Sequence, residues 1–151
     1  MNDWKKVLIA VDDTPTSDRG LKYAGRIIGN LPGVSVCLLH VYPEPPPDYY
    51  NSGKSLADYT NKQEAEADTL VQRCRKMLTE AGIDPEAITG DIRMAEQKTI
   101  SATILEVQQQ GEYGTIVVGR RGVSKAEEFL FGSISNALVH HSHDCTVWVV
   151  G

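Results

Sequence analysis

Gly119, Gly122, Gly132 and Ser133 follow the apolar run Thr115-Ile116-Val117-Val118 and precede an amphipathic stretch, in the order G-x2-G-x9-G-S. Glycines at a strand exit let the chain turn sharply and leave bare amide N–H groups close to an anion. Ser133 stands where a following helix would aim the positive end of its dipole. Residues of these types at this spacing suit phosphate. The order G-x4-G-K-[ST] is missing from the segment, so it is not the P-loop of NTPases, whose lysine and hydroxyl directly follow the last glycine. Arg120, Arg121 and Lys125 add a local basic patch. Exposed loop arginines are as often solvated as they are ligands.

The elements that must position this loop are legible as alternating apolar runs and amphipathic stretches. Val7 to Val11 is short and β-branched, which favours a strand, and Asp12-Asp13-Thr14-Pro15 ends it. Leu21, Ala24, Ile27 and Ile28 then share a face at helical spacing, with Thr16 or Ser17 as N-cap and Gly29-Asn30 as the stop. Val34 to Val41 reads as a second buried strand with an extended, proline-rich exit over Pro43 to Pro47. Ser55 to Glu80 is mostly helical, with an interruption near Thr60, and carries Leu56, Tyr59, Ala67, Leu70, Val71, Cys74 and Leu78 before Gly82 stops it. Ile88 to Ile92 is a weaker strand, and Ile100, Ile104, Leu105 and Val107 mark a third helix. Thr115 to Val118 is the fourth strand, Ile134, Ala137, Leu138 and His141 mark the last helix, and Thr146 to Val150 the last strand. The order βαβαβαβαβ implies a doubly wound five-stranded parallel sheet with helices on both faces. With strand order 3-2-1-4-5 the winding reverses between the first and fourth strands. A ligand crevice is expected there, between Asp12-Asp13 and the glycine-rich segment.

The 151 residues are expected to form a single domain spanning 1–151, long enough to bury roughly two-thirds of the unfolded surface. With 41% hydrophobic and 23% charged residues the composition is that of a globular protein, and no apolar run approaches the ~20 residues of a membrane span. No membrane partner is expected. A net charge of −5 argues against a general electrostatic footprint for nucleic acid. Met1 to Lys6 shows neither a long apolar stretch nor a cleavage site, and the odd set Cys37, Cys74 and Cys145 lacks C-x-x-C spacing, so reduced thiols and a cytoplasmic location are expected. His140, His141 and His143 read as helix C-terminal residues favoured by the dipole, because only Asp144 stands near to complete a metal site.

With VLIAVDDT at the first strand, LLHVYPEP at the second, TIVVGRRG at the fourth, FLFGSISNALVHHS into the last helix and VWVV after it, the chain resembles the universal stress protein family over nearly its full length. The complete G-x2-G-x9-G-S matches the hallmark of that family's ATP-binding branch. The resemblance implies that Asp12 holds the ribose or lies beside adenine, with Ala10 and Val11 at the pocket floor and the backbone of Val41 at the adenine edge. It also implies that the amides of Gly119, Gly122, Gly132 and Ser133 surround the phosphates, with Ile134 adding backbone, Ser135 a hydroxyl, and Arg120 within reach of phosphate oxygens. Taken alone, Asp12 reads more readily as a helix cap or an Asx turn before Pro15 than as a ligand, and its position at the switch point favours the site. The chain departs from the pattern at Gly114, where members often carry an acidic residue, at Thr146, where a proline often follows the cysteine, and over Arg93 to Gln97, which lacks a frequent glycine.

The function implied is that of an ATP-binding universal stress protein, a nucleotide-dependent regulator or sensor in stress tolerance that takes ATP, ADP or AMP, with Mg²⁺ as a companion ion. Slow ATP hydrolysis or phosphoryl transfer at the same crevice is the enzymatic alternative, with Asp13 as the candidate for holding a metal and no general base in view. A nucleotidyltransferase would want H-x-G-H and an ATP pyrophosphatase S-G-G-x-D-S, and neither occurs. A nucleotide-independent interaction module is the remaining class, against which the retained glycines count. The apolar last strand would leave an exposed sheet edge. The resemblance implies a homodimer through it, with Trp148 either at the contact or covering a helix of its own subunit.

Overall fold

The computed structural model describes residues 1–120 and 133–151. Among them, five parallel strands, β1 (Lys6–Ala10), β2 (Ser35–Pro43), β3 (Ile88–Ala95), β4 (Thr115–Gly119) and β5 (Thr146–Val150), form one sheet in the order β3-β2-β1-β4-β5. Helices α1 (Pro15–Ile28), α2 (Leu56–Glu80), α3 (Ile100–Gly111) and α4 (Ser133–His141) connect or follow them. Two single 3-10 turns, Tyr49–Ser52 and Pro85–Ala87, precede α2 and β3.

Alternation along β1 divides the core. Val7 and Ile9 pack with Leu21, Ala24 and Ile28 of α1 and Leu70, Val71, Cys74 and Leu78 of α2. Leu8 faces the other way, toward Ile104 and Val107 of α3 and Leu138 of α4. Successive side chains of a strand point to opposite faces, so a strand covered on both sides must be apolar at every position. Val7, Leu8 and Ile9 are each at most 1% exposed. Burial raises the thiol of Cys74 to about 11 and also raises that of Cys37, which keeps both protonated and inert.

Several boundaries differ from the sequence expectation for identifiable reasons. Helix α1 starts at Pro15 with Thr14 as N-cap, two or three residues before the expected cap, because proline lacks the N–H that the first helical turn leaves unpaired anyway. Ile27 is 47% exposed instead of buried on the α1 stripe. Helix α2 runs without interruption from Leu56, started by a capping box between Ser55 and Asp58. Its buried side chains begin only at Ala67. The first turns project past the sheet, where Tyr59 meets Tyr42 and Tyr49 edge to face at 6.0 and 5.4 Å. Strand β3 continues to Ala95 because it pairs with β2 as far as Pro43. The turn after it places Gln97 at φ 54°, a left-handed conformation usually given to glycine, and Glu44 accepts from the Gln97 amide at 3.3 Å. On α4, Ser135 and Leu138 are the buried residues, and His141 is exposed.

The N-terminal segment ties β4 to the sheet. The Gly114 amide donates to the Lys6 carbonyl at 3.0 Å, and the Thr115 hydroxyl donates to the Trp4 carbonyl at 2.7 Å. A Cβ at Gly114 would lie 2.2 Å from the Asp3 carbonyl oxygen, so the residue before β4 has no room for a side chain here. Gly114→Asp is expected to displace the segment and cost about 1–3 kcal/mol of stability. Urea denaturation checks this: an unchanged midpoint would show that the N-terminal segment yields without loss.

Candidate functional site

Strands β1 and β4 are neighbours, α1 and α4 pack on opposite faces of the sheet, and a cavity of about 230 Å³ opens at the carboxyl ends of the two strands. Its floor is the exit of β1, Ala10, Val11 and Asp12. One side is the start of α1, with Thr14, Thr16 and Ser17. The end of β2 contributes Val41 and Tyr42, and Ile100 and Ile104 of α3 form an apolar wall one helical turn apart. Gly119 of β4 and Ile134 and Ser135 of α4 close the remaining side. The cavity is therefore apolar toward α3 and hydroxyl-rich toward α1, a division that suits a flat ring at one end and a polar group at the other.

Hydrogen bonds at the α1 start determine where Asp12 points. The Asp12 amide donates to Ser17 Oγ at 2.9 Å, and the Thr14 hydroxyl donates to the Asp12 carboxylate. Thr14 Oγ1 also accepts from the Ser17 amide at 3.2 Å, so one hydroxyl both caps the helix and holds the acid. The cap is thus Thr14, leaving the half-buried Asp12 as the one carboxylate on the cavity wall among the described residues. The positive end of α1 lies beside it.

Gly119 has a packing reason beyond its amide. A Cβ there would stand 2.4 Å from the Thr16 carbonyl oxygen, and one on Gly20 would stand 3.4 Å from the Gly119 nitrogen. Two glycines let the first turns of α1 rest directly on the end of β4. Tyr42, 4% exposed, meets Tyr59 at 6.0 Å, and its phenol is raised above the usual range, chiefly by burial and then by Glu64, so it stays protonated beside the cavity.

Of the residues singled out by sequence, the structure gathers Ala10, Val11, Asp12, Val41, Gly119, Ile134 and Ser135 around this one cavity. Ser133 is exposed at the first turn of α4 and is not part of the lining. Arg120 is exposed just past β4, its amide donating to the Val150 carbonyl at 2.7 Å. Gly122, Gly132, Arg121 and Lys125 lie outside the described residues. Asp13 is turned away: its side chain is 97% exposed and 3.8 Å from Arg73, which itself holds Asp18 at 3.0 Å. No group of three His, Cys, Asp or Glu side chains that would hold a metal ion occurs among the described residues. Thr14, Thr16, Ser17, His40, Tyr42, Gln63, Ile100 and Ile104 also line the cavity and were not anticipated. The i, i+4 isoleucines at the start of α3 and the hydroxyls after Asp12 were the available signals.

The profile of the Universal stress protein family matches residues 3–151. The chain belongs to the universal stress protein family. Its fold is similar to that of the universal stress protein UspA from Lactobacillus plantarum, with a TM-score of 0.76 at 17% identity over 100% of both chains. It is similar as well to a universal stress protein solved in complex with cAMP, with a TM-score of 0.72, 17% identity, and coverage of 97% of this chain and 96% of that one. A third similar structure is the universal stress protein from Archaeoglobus fulgidus in complex with dAMP, with a TM-score of 0.64 at 17% identity over 97% of each chain. The five-stranded parallel order is the universal stress protein fold.

The double duty of Thr14 generates a test. Thr14→Ala is expected to lower stability by about 1 kcal/mol through the lost cap, and Thr14→Ser to retain it. Thermal or urea unfolding of both variants checks the assignment, and equal destabilisation by Ser and Ala would remove the hydroxyl from the account.

Proposed function

We propose that this universal stress protein binds an adenine nucleotide, ATP or its products ADP and AMP, in the cavity above β1 and β4, and acts as a nucleotide-dependent regulator or sensor in stress tolerance. The observation that carries the reading is the convergence of Asp12, Val41, Gly119 and Ser135, from four separate elements, on one cavity whose apolar wall suits a purine. Relatives of the same fold solved with cAMP and dAMP support it. In this reading the base lies against Ile100 and Ile104, the carboxylate of Asp12 accepts from ribose hydroxyls, and the phosphates extend toward Gly119 and Ser135. Backbone amides and hydroxyls suffice for that task. Mg²⁺ enters as a companion of the triphosphate, since Asp13 stands outside the cavity wall. In this reading the protein acts through nucleotide occupancy.

Acid extraction of the purified protein followed by chromatography, with calorimetric titration of ATP, tests the assignment. ATP or ADP near one per chain, or measurable affinity for added ATP, is the expected result. Protein that carries no nucleotide and shows no affinity for it would leave an interaction module. Asp12→Ala is expected to weaken binding roughly ten- to a hundred-fold, the worth of a charged hydrogen bond to the sugar. Binding at wild-type strength would move the ribose elsewhere.

The edge strand supports a second element of the proposal, a homodimer through β5. Val149 is 39% exposed on that strand, beside Tyr23 and Ile27 at 48% and 47%. Trp148 packs edge to face on Tyr23 of its own α1 at 6.2 Å, which props the strand for contact with a twin. Val149→Lys is expected to shift sedimentation equilibrium toward monomer. A dimer of unchanged strength would place the interface on another surface.

A further inference from the structure

The peptide group joining Val11 to Asp12 is held at both ends. Its carbonyl oxygen, on Val11, lies 2.8 Å from His40 Nδ1, and its N–H, on Asp12, donates to Ser17 Oγ at 2.9 Å. A peptide group is planar, so fixing both polar atoms fixes the direction in which the chain enters Asp12. The preceding amide completes the anchor, Val11 N–H donating to the Leu39 carbonyl at 2.9 Å as a continuation of the β1–β2 ladder. Beyond that bond β1 leaves the sheet, and the carbonyl of Val11, a residue 4% exposed, has no strand partner among the described residues. His40 supplies the donor in place of a strand. A carbonyl only accepts, so the ring carries its proton on Nδ1.

We infer that His40 is a positioning residue for nucleotide binding: its Nδ1–H clamps the Val11–Asp12 peptide and thereby aims the Asp12 carboxylate into the cavity. The inference rests on the adenine-nucleotide reading of that cavity. His40 occupies an unusual place for the task. It sits in an otherwise apolar strand run, and its ring forms part of the wall both of the nucleotide cavity and of an adjoining cleft under α2 that contains Asp13, Glu66 and Arg73. A change in that cleft is therefore one hydrogen bond away from Asp12.

Substitutions separate positioning from bulk. Asparagine places an amide nitrogen near the location of Nδ1, whereas glutamine reaches toward the location of Nε2 and leucine donates nothing. His40→Leu and His40→Gln are expected to weaken ATP binding roughly five- to ten-fold, the effect of stranding a buried carbonyl, with His40→Asn within about two-fold of wild type. Nitrogen-15 NMR of the wild-type protein is expected to show the Nδ1–H tautomer. The Asp12 amide resonance is expected to move in the leucine variant and to return in the asparagine variant. Wild-type protein that binds ATP while the leucine or glutamine variant binds as tightly, or the asparagine variant as weakly as leucine, overturns the inference. So does an Nε2–H tautomer, which is readable even if a variant fails to fold. Wild-type protein that binds no nucleotide instead overturns the reading of the cavity, and the tautomer and the Asp12 resonance still judge the clamp.

Discussion

The site depends on how closely α1 approaches the end of β4. The Thr16 carbonyl lies where a side chain on Gly119 would begin, and Gly20 faces the same backbone one turn further along. A side chain on Gly119 would push the first turn of α1 from the sheet, whereas a Cβ on Gly20 would only touch the β4 backbone at van der Waals distance. Thr14, Thr16 and Ser17 belong to that turn, and Asp12 is held by two of them. The geometry of the hydroxyl-rich side of the cavity is thus set by the missing side chain of Gly119, which is in contact with Thr16 in space and remote from it in sequence.

The approach also explains why the crevice exists where it does. In a sheet ordered β3-β2-β1-β4-β5, the helix after β1 lies on one face and the helix that precedes β5 on the other, and the crevice opens at the carboxyl ends of the central pair. The two core layers confirm the division: α1 and α2 cover one face, α3 and α4 the other. Each layer lends one wall to the cavity. The α3 layer brings isoleucine, and the α1 layer brings hydroxyls and a helix N-terminus. The chemical asymmetry of the cavity follows from the winding of the chain.

How much of this was legible in the sequence varies with how local the determining physics is. Strands such as Val36 to Val41 and Thr115 to Val118 are covered on both faces, so they appear as nearly continuous apolar runs, and the alternation of elements implied the parallel sheet whose assumed order, 3-2-1-4-5, is the one found. The family resemblance named Asp12, Val41, Gly119 and Ser135, which line one cavity, whereas of the glycine-rich motif itself only Gly119 does so, Ser133 standing outside the lining and Gly122 and Gly132 outside the described residues. The start of α1 was placed late because Thr16 and Ser17 look as good a cap as Thr14, and only the fit of Pro15 in the first turn decides between them. The exposed first turns of α2 and the extension of β3 depend on what those segments meet in space, which periodicity does not encode. Gln97 shows the same limit: a left-handed turn was hidden because the residue there is not glycine.

His40 was missed for a related reason, and the reason is informative. Within the run Val36 to Val41 a histidine reads as a tolerated polar residue in a core strand, and its pairing with the Val11 carbonyl appears only once β1 and β2 are in register. A strand that leaves a sheet abandons its last carbonyl in a region water does not reach, and some neighbour must donate to it. In this protein that bond lies immediately before the one carboxylate on the cavity wall among the described residues. At Asp12 the backbone and carboxylate are instead met by side chains, among them His40 of β2 and Ser17 and Thr14 of the first turn of α1.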